Sequence, residues 1–132
     1  MIRSYQDLEV WKKAITLVKI AYELASAFPK TEQFGLISQI QRSATSIPAN
    51  IAEGRCRSSR KEFSFFLRIA AGSLAELETH FFVAMELEYL NATTAQEFFD
   101  HASEVGRMLN GLLKSLQQTP LKPETQNLEA VS

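Results

Sequence analysis

The apolar residues of this chain fall into long rows with a 3-4-3-4 spacing, and that periodicity restricts it to packed helices. In the first stretch, residues 7–27, Leu8, Trp11, Ile15, Val18, Tyr22 and Ala25 form one row. Ile37, Ile40, Ala44, Ile47 and Ile51 form a row in the second stretch, and Phe63, Leu67, Ala70, Leu74, Leu77, Phe81 and Ala84 in the third. Phe98, Ala102, Val105, Leu109, Leu112 and Leu116 complete the set. Residues three and four apart share one helix face, so each row is a stripe that must be covered. With 5 Gly and 4 Pro in 132 residues, the chain lacks the turn residues of an all-β fold.

Punctuation places the helix ends. Pro29 stops the first helix. The second starts near residues 31–34 and closes at Gly54, a residue that tolerates φ > 0. Pro48 lies within its pattern and predicts a kink or a local opening, because it removes a backbone donor and crowds the preceding turn. Ser59-Arg60-Lys61-Glu62 and Thr94-Ala95-Gln96-Glu97 read as capping boxes that open the third and fourth helices. Gly72 lies inside the third helix, where a small residue either permits a close helix approach or is incidental. Pro120 and Pro123 prevent further helix, and the polar residues 119–132 read as a disordered tail. Four amphipathic helices with short connections predict an all-α, antiparallel up-down-up-down four-helix bundle over residues 1–118.

The first helix carries a second apolar row beside the first: Val10, Ala14, Leu17, Ala21 and Leu24, continued by Phe28. Two adjacent rows are wider than one core requires. Either the helix is deeply packed, or Val10, Ala14, Leu17, Ala21 and Leu24 form a subunit interface.

The net charge of −1 gives no global attraction to nucleic acid. Its distribution is uneven. Residues 1–60 hold 9 Lys and Arg against 5 Asp and Glu, and residues 61–132 hold 5 against 10. In an up-down bundle Arg55, Arg57, Arg60 and Lys61 gather at the turn between helices two and three. Glu86, Glu88, Glu97 and Asp100 gather at the opposite pole. The basic run is a candidate phosphate contact, since the arginine fork binds phosphate oxygens bidentately and a helix N-terminus favours anions. A solvated charged loop explains the same residues. A second polar set, Arg42, Ser46, Asn50 and Glu53, recurs at spacings of four, four and three on one face of the second helix. Ser46 and Asn50 are placed to repair backbone bonds freed by Pro48.

Catalytic chemistry finds no support. Di-metal bundles need Glu-x-x-His motifs, whereas His80 and His101 follow Glu76 and Glu97 by four residues. No nucleophile, base and orienting acid assemble from spacing, and no phosphate-binding glycine loop is present. We expect no enzyme activity, no catalytic residue, no metal and no cofactor. A lone cysteine, Cys56, fits a reducing cytoplasm. No run approaches the ~20 apolar residues of a membrane span.

Several segments resemble a known bacterial family. They are Leu8-Glu9-Val10-Trp11-Lys12-Lys13-Ala14, Phe28-Pro29-x-x-Glu32-x-Phe34-Gly35-Leu36 and Ser46-Ile47-Pro48-Ala49-Asn50-Ile51-Ala52-Glu53-Gly54. A fourth is Glu62-Phe63-x-x-Phe66-Leu67-x-Ile69-Ala70-x-Gly72-Ser73-Leu74-x-Glu76-Leu77-Glu78-Thr79. Together, over about residues 5–115, they are similar to the four-helix-bundle proteins encoded within intervening sequences of large-subunit ribosomal RNA genes, often labelled ribosomal proteins. The resemblance implies a homopentameric ring, cytoplasmic and without catalytic activity. The accessory proteins of diversity-generating retroelements are similar in fold, but they are basic and this chain is not. The combined expectation is a self-assembling scaffold or adaptor with RNA as a partner at its basic pole. The alternative is an adaptor that recruits only protein, such as a nucleic-acid-processing polymerase.

Overall fold

A computed structural model describes residues 4–117 of the chain. The described residues form an all-α four-helix bundle. Helix α1 spans Glu9–Ala25, α2 Leu36–Arg55, α3 Arg60–Glu86 and α4 Ala92–Gln117. Each packs against its neighbours in the chain, and α1 returns to α4, while the diagonal pairs α1 with α3 and α2 with α4 do not meet. Short connections between successive helices produce this antiparallel square. The residues expected to form a C-terminal tail lie outside the described part.

The core is built from the predicted rows of α2, α3 and α4. Ile40, Ala44, Ile47, Ile51, Leu67, Ala70, Leu77, Phe81, Phe98, Ala102, Val105 and Leu109 are fully buried. On α1 the roles of the two rows differ from expectation. Val10, Ala14, Leu17 and Ala21 are buried inside the chain's own core, and Leu24 is half-buried. Four of the five residues expected at a subunit interface are therefore unavailable to another subunit. Ala14 and Ala21 let α1 come close to its neighbours, which Trp11 and Tyr22 are too large to do. In the other row, Leu8 and Ala25 are buried, Trp11 and Val18 are half-buried, and Ile15 and Tyr22 are exposed.

Local chemistry accounts for most helix ends. Ser59 caps α3 as expected, its Oγ accepting the Glu62 N–H at 3.1 Å. The fourth helix starts earlier than Thr94, because Asn91 Oδ1 accepts the Thr94 N–H at 2.8 Å and takes over the cap. Helix α3 ends with Glu88 at φ 63°, the left-handed position that usually favours glycine. There Tyr89 N–H bonds to the Ala84 carbonyl at 2.9 Å and Glu88 N–H to that of Met85 at 3.0 Å. Helix α2 continues through Pro48, whose ring is buried, so no break opens there.

Gly54 is not a left-handed terminator. It lies within α2, and a Cβ built on it would stand 2.8 Å from Phe66 Cβ and 3.0 Å from Phe63 Cδ1. The glycine allows α2 to approach α3 closely, just before the chain turns between them. Gly72, the position expected to permit such an approach, has open space around it.

The other pole is tied by Glu32, which lies in a 3-10 turn before α2. Its Oε1 accepts the Leu36 N–H at 3.1 Å, and its Oε2 accepts the Tyr89 hydroxyl at 2.7 Å from beyond α3. Phe28 packs against Phe81 and Tyr89 beneath this link. The Tyr89 hydrogen bond, then that of Leu36, holds the Glu32 carboxyl below its ordinary range against a smaller desolvation effect. The same bond raises the Tyr89 hydroxyl above its own.

Two stability predictions follow from these contacts. Gly54→Ala loses about 1–3 kcal/mol to overpacking, although alanine is the better helix former. Gly72→Ala gains about 0.5–1 kcal/mol, because only the helix propensity changes. Urea titration of both variants checks the opposite signs; equal shifts would contradict the α2–α3 approach. The Glu32 link has a pH signature. A lowered folded pKa gives stabilisation that is complete above the unfolded value of about 4.3 and is lost as pH falls through the folded value. The difference in Tm between the protein and Glu32→Gln should be greatest near neutrality and close in acid. Glu78, whose carboxyl is raised by burial, titrates in both proteins and cancels in that difference. A difference independent of pH would show that the charge of Glu32 contributes nothing.

Candidate nucleic-acid interface

The basic run spans the end of α2, the four-residue connection and the start of α3, and its side chains fall into two groups. Arg57 is engaged: its guanidinium pairs with Glu53 one turn earlier and lies over the Phe66 ring, 5.1 Å from the centroid. Arg55 is half-buried and also makes a contact within the chain. Arg60 and Lys61, on the first turn of α3, are exposed and have no ion pair among the described residues. These two are the cations most open to a phosphate.

The start of α3 is a weaker anion site than the sequence implied. Ser59 Oγ takes the Glu62 N–H and also donates to Glu62 Oε1 at 3.1 Å, which holds a carboxylate near the positive end of the helix. Phosphate recognition here must rely on side chains.

The polar row of α2 is divided. Asn50 Nδ2 donates to the Ser46 carbonyl at 2.8 Å and to Ser46 Oγ at 2.9 Å. Ser46 Oγ meets Ser73 Oγ of α3 at 2.8 Å. The three side chains make a half-buried polar junction between the helices. The carbonyl they satisfy belongs to Ser46, whereas the acceptor that loses its partner to Pro48 is that of Ala44, four residues before the proline. Arg42 is exposed on the outside of α2, and Glu53 is committed to Arg57.

Other reactive groups are ordinary surface pairs. His80 Nε2 faces Glu76 Oε2 at 3.3 Å, and His101 Nδ1 faces the Glu97 carbonyl at 3.0 Å. Among the described residues there is no group of three or more His, Cys, Asp or Glu able to hold a metal. Cys56 is a free, exposed thiol. Among the described residues no helix is long and apolar enough to cross a membrane.

Two residues beside the basic turn were not singled out from the sequence. Phe65 is 57% exposed, and Arg68 is exposed without an ion pair among the described residues. Their signal was the spacing Lys61, Phe65, Arg68, at i, i+4 and i+7 on one face of α3.

The chain belongs to the family described as 23S rRNA-intervening sequence protein, whose model matches residues 6–111. It is also similar to a solved structure of a protein of unknown function from the S23 ribosomal protein family of Bacteroides thetaiotaomicron VPI-5482. The two are 26% identical and superimpose with a TM-score of 0.73 over 80% of this chain and 95% of that one. No protein with a curated description matches the chain.

Proposed function

We propose that this member of the 23S rRNA-intervening sequence protein family is a self-assembling cytoplasmic scaffold, a homopentameric ring that grips RNA with its repeated basic turn. One observation carries the assembly: apolar side chains remain exposed on two separate helices. On α1 they are Ile15, 43% exposed, and Tyr22, with Trp11 and Val18 half-buried beside them. A second set includes Val83 near the end of α3 and Leu87 just beyond it, the latter 50% exposed.

The two rows lie on helices diagonal in the bundle, so they are distinct patches. Lys13 reaches Glu104 of α4 at 3.6 Å, which marks the α4 side of α1; the exposed row lies on the other flank. Phe82 stacks on Phe99 and marks the α4 side of α3, again away from Val83 and Leu87. Lys12 and Lys19 border the first patch, whereas Glu76 and Glu86 border the second. A basic-rimmed row suits an acidic-rimmed row on the next copy. Contacts between unlike patches are heterologous, and such contacts close into rings when the rotation allows.

RNA is supported by Arg60 and Lys61, cations left unpaired among the described residues. A ring repeats them and multiplies a weak contact into avidity. A second reading, a protein-only adaptor that docks a partner such as a polymerase, draws on Phe34. That ring is 94% exposed at the pole opposite the basic turn.

The test is RNA binding at several salt concentrations. The account expects affinity to fall steeply with salt, and Arg60→Ala with Lys61→Ala to reduce the slope of log K against log salt by about 1–2 per copy. Val83→Asp with Leu87→Asp should dissolve the assembly and weaken binding of a long RNA by tenfold or more, with little effect on a short oligonucleotide. Salt-independent or absent RNA binding by an assembled protein would favour the adaptor.

A further inference from the structure

We infer that the first turns of α3 form a platform for single-stranded nucleic acid, with Phe65 as the stacking surface for a base and Lys61 and Arg68 as phosphate contacts on either side of it. The inference rests on the RNA reading above and specifies its ligand class. Lys61, Phe65 and Arg68 stand at i, i+4 and i+7, so they follow one another along a single face. At 1.5 Å per residue the two cations are about 10 Å apart along the axis, with the ring between them.

The Phe65 ring is held in place although it is more than half exposed. It meets Phe66 edge-to-face, 5.2 Å between centroids at 83°. Phe66 in turn carries the Arg57 guanidinium, which Glu53 fixes from its other side. One aromatic of the pair already has a cation over it, and the other remains open to a ligand. Positioning the ring beforehand lowers the ordering cost when a base arrives. Beyond Phe65 on the same flank, Ile69 is partly exposed and Gly72 has open space above it, so the strip continues without obstruction.

An exposed aromatic between unpaired cations selects among nucleic acids. Bases within a duplex are stacked on each other and offer no free face, whereas a single strand can place a base on a side chain while its phosphates reach Lys and Arg. Carboxylates do not block this face. Glu62, the nearest in sequence, is held by Ser59, and Glu76 lies two turns beyond Arg68 beside His80.

The test is fluorescence anisotropy of the full-length protein with a labelled 12-nucleotide oligouridine and with a hairpin duplex of equal charge. Single-strand binding should exceed duplex binding. Phe65→Ala should weaken the single strand by roughly tenfold or more and leave the salt slope unchanged. Phe65→Trp should restore affinity, and Arg68→Ala should lower the slope by about 0.7 per copy. Thermal melts of each variant verify the fold, which an exposed position should not disturb. If Phe65→Ala binds like the parent while Arg60→Ala with Lys61→Ala does not, the platform is overturned and the basic-turn reading survives. If the parent binds neither RNA at low salt, both are overturned.

Discussion

The close approach of α2 to α3 sets the geometry of this bundle. It depends on Gly54, where any side chain would meet Phe63 and Phe66, and on the junction of Ser46, Asn50 and Ser73 further along. Steric fit fixes the distance at one end, and hydrogen bonds fix the register in the middle. The chain must then reverse within residues 56–59, which places the basic run at the pole and Arg57 over Phe66. With Phe63 and Phe66 turned towards α2, helical periodicity turns Phe65 outwards. The exposed aromatic is a consequence of how its neighbours pack.

The opposite pole is held by a different kind of contact. Glu32 caps α2 and receives the Tyr89 hydroxyl, so one carboxylate joins the first and third connections. Between the poles the core is alternately large and small. Alanines at 14, 21, 44, 70, 84 and 102 give space to Phe81, Phe98 and the branched aliphatics. This close packing buries one row of α1 and leaves Ile15 and Tyr22 of the other exposed. Surplus apolar surface arranged in rows and bordered by charge is a feature of molecules that associate.

Much of the fold was legible in the sequence, because the 3-4 rows of α2, α3 and α4 mark the faces that are buried. Helix α1 was ambiguous. Both its rows are apolar, and periodicity ranks neither; the choice depends on the size of Ala14 and Ala21 against Trp11 and Tyr22 in a space defined by other helices. Gly54 and Gly72 show the same limit, since composition marks both as small but only the partner helix decides which one needs to be. Asn91 displaced Thr94 as the cap because its side chain accepts the N–H of Thr94 itself, which puts Thr94 inside the first turn. At the basic turn the sequence located the charges, but the division between engaged Arg57 and open Arg60 and Lys61 depends on Glu53 and Phe66. Membership of the 23S rRNA-intervening sequence protein family agrees with the motifs over most of the chain.

We propose that Ile15 with Tyr22, and Val83 with Leu87, are covered by other copies of the chain. Light scattering coupled to size exclusion, on the full-length protein without RNA, measures this directly. The account predicts a single species at five times the chain mass of 14.9 kDa, shifting to lower mass when Ile15 or Val83 is replaced by Asp. A species at 14.9 kDa across the accessible concentration range would contradict it.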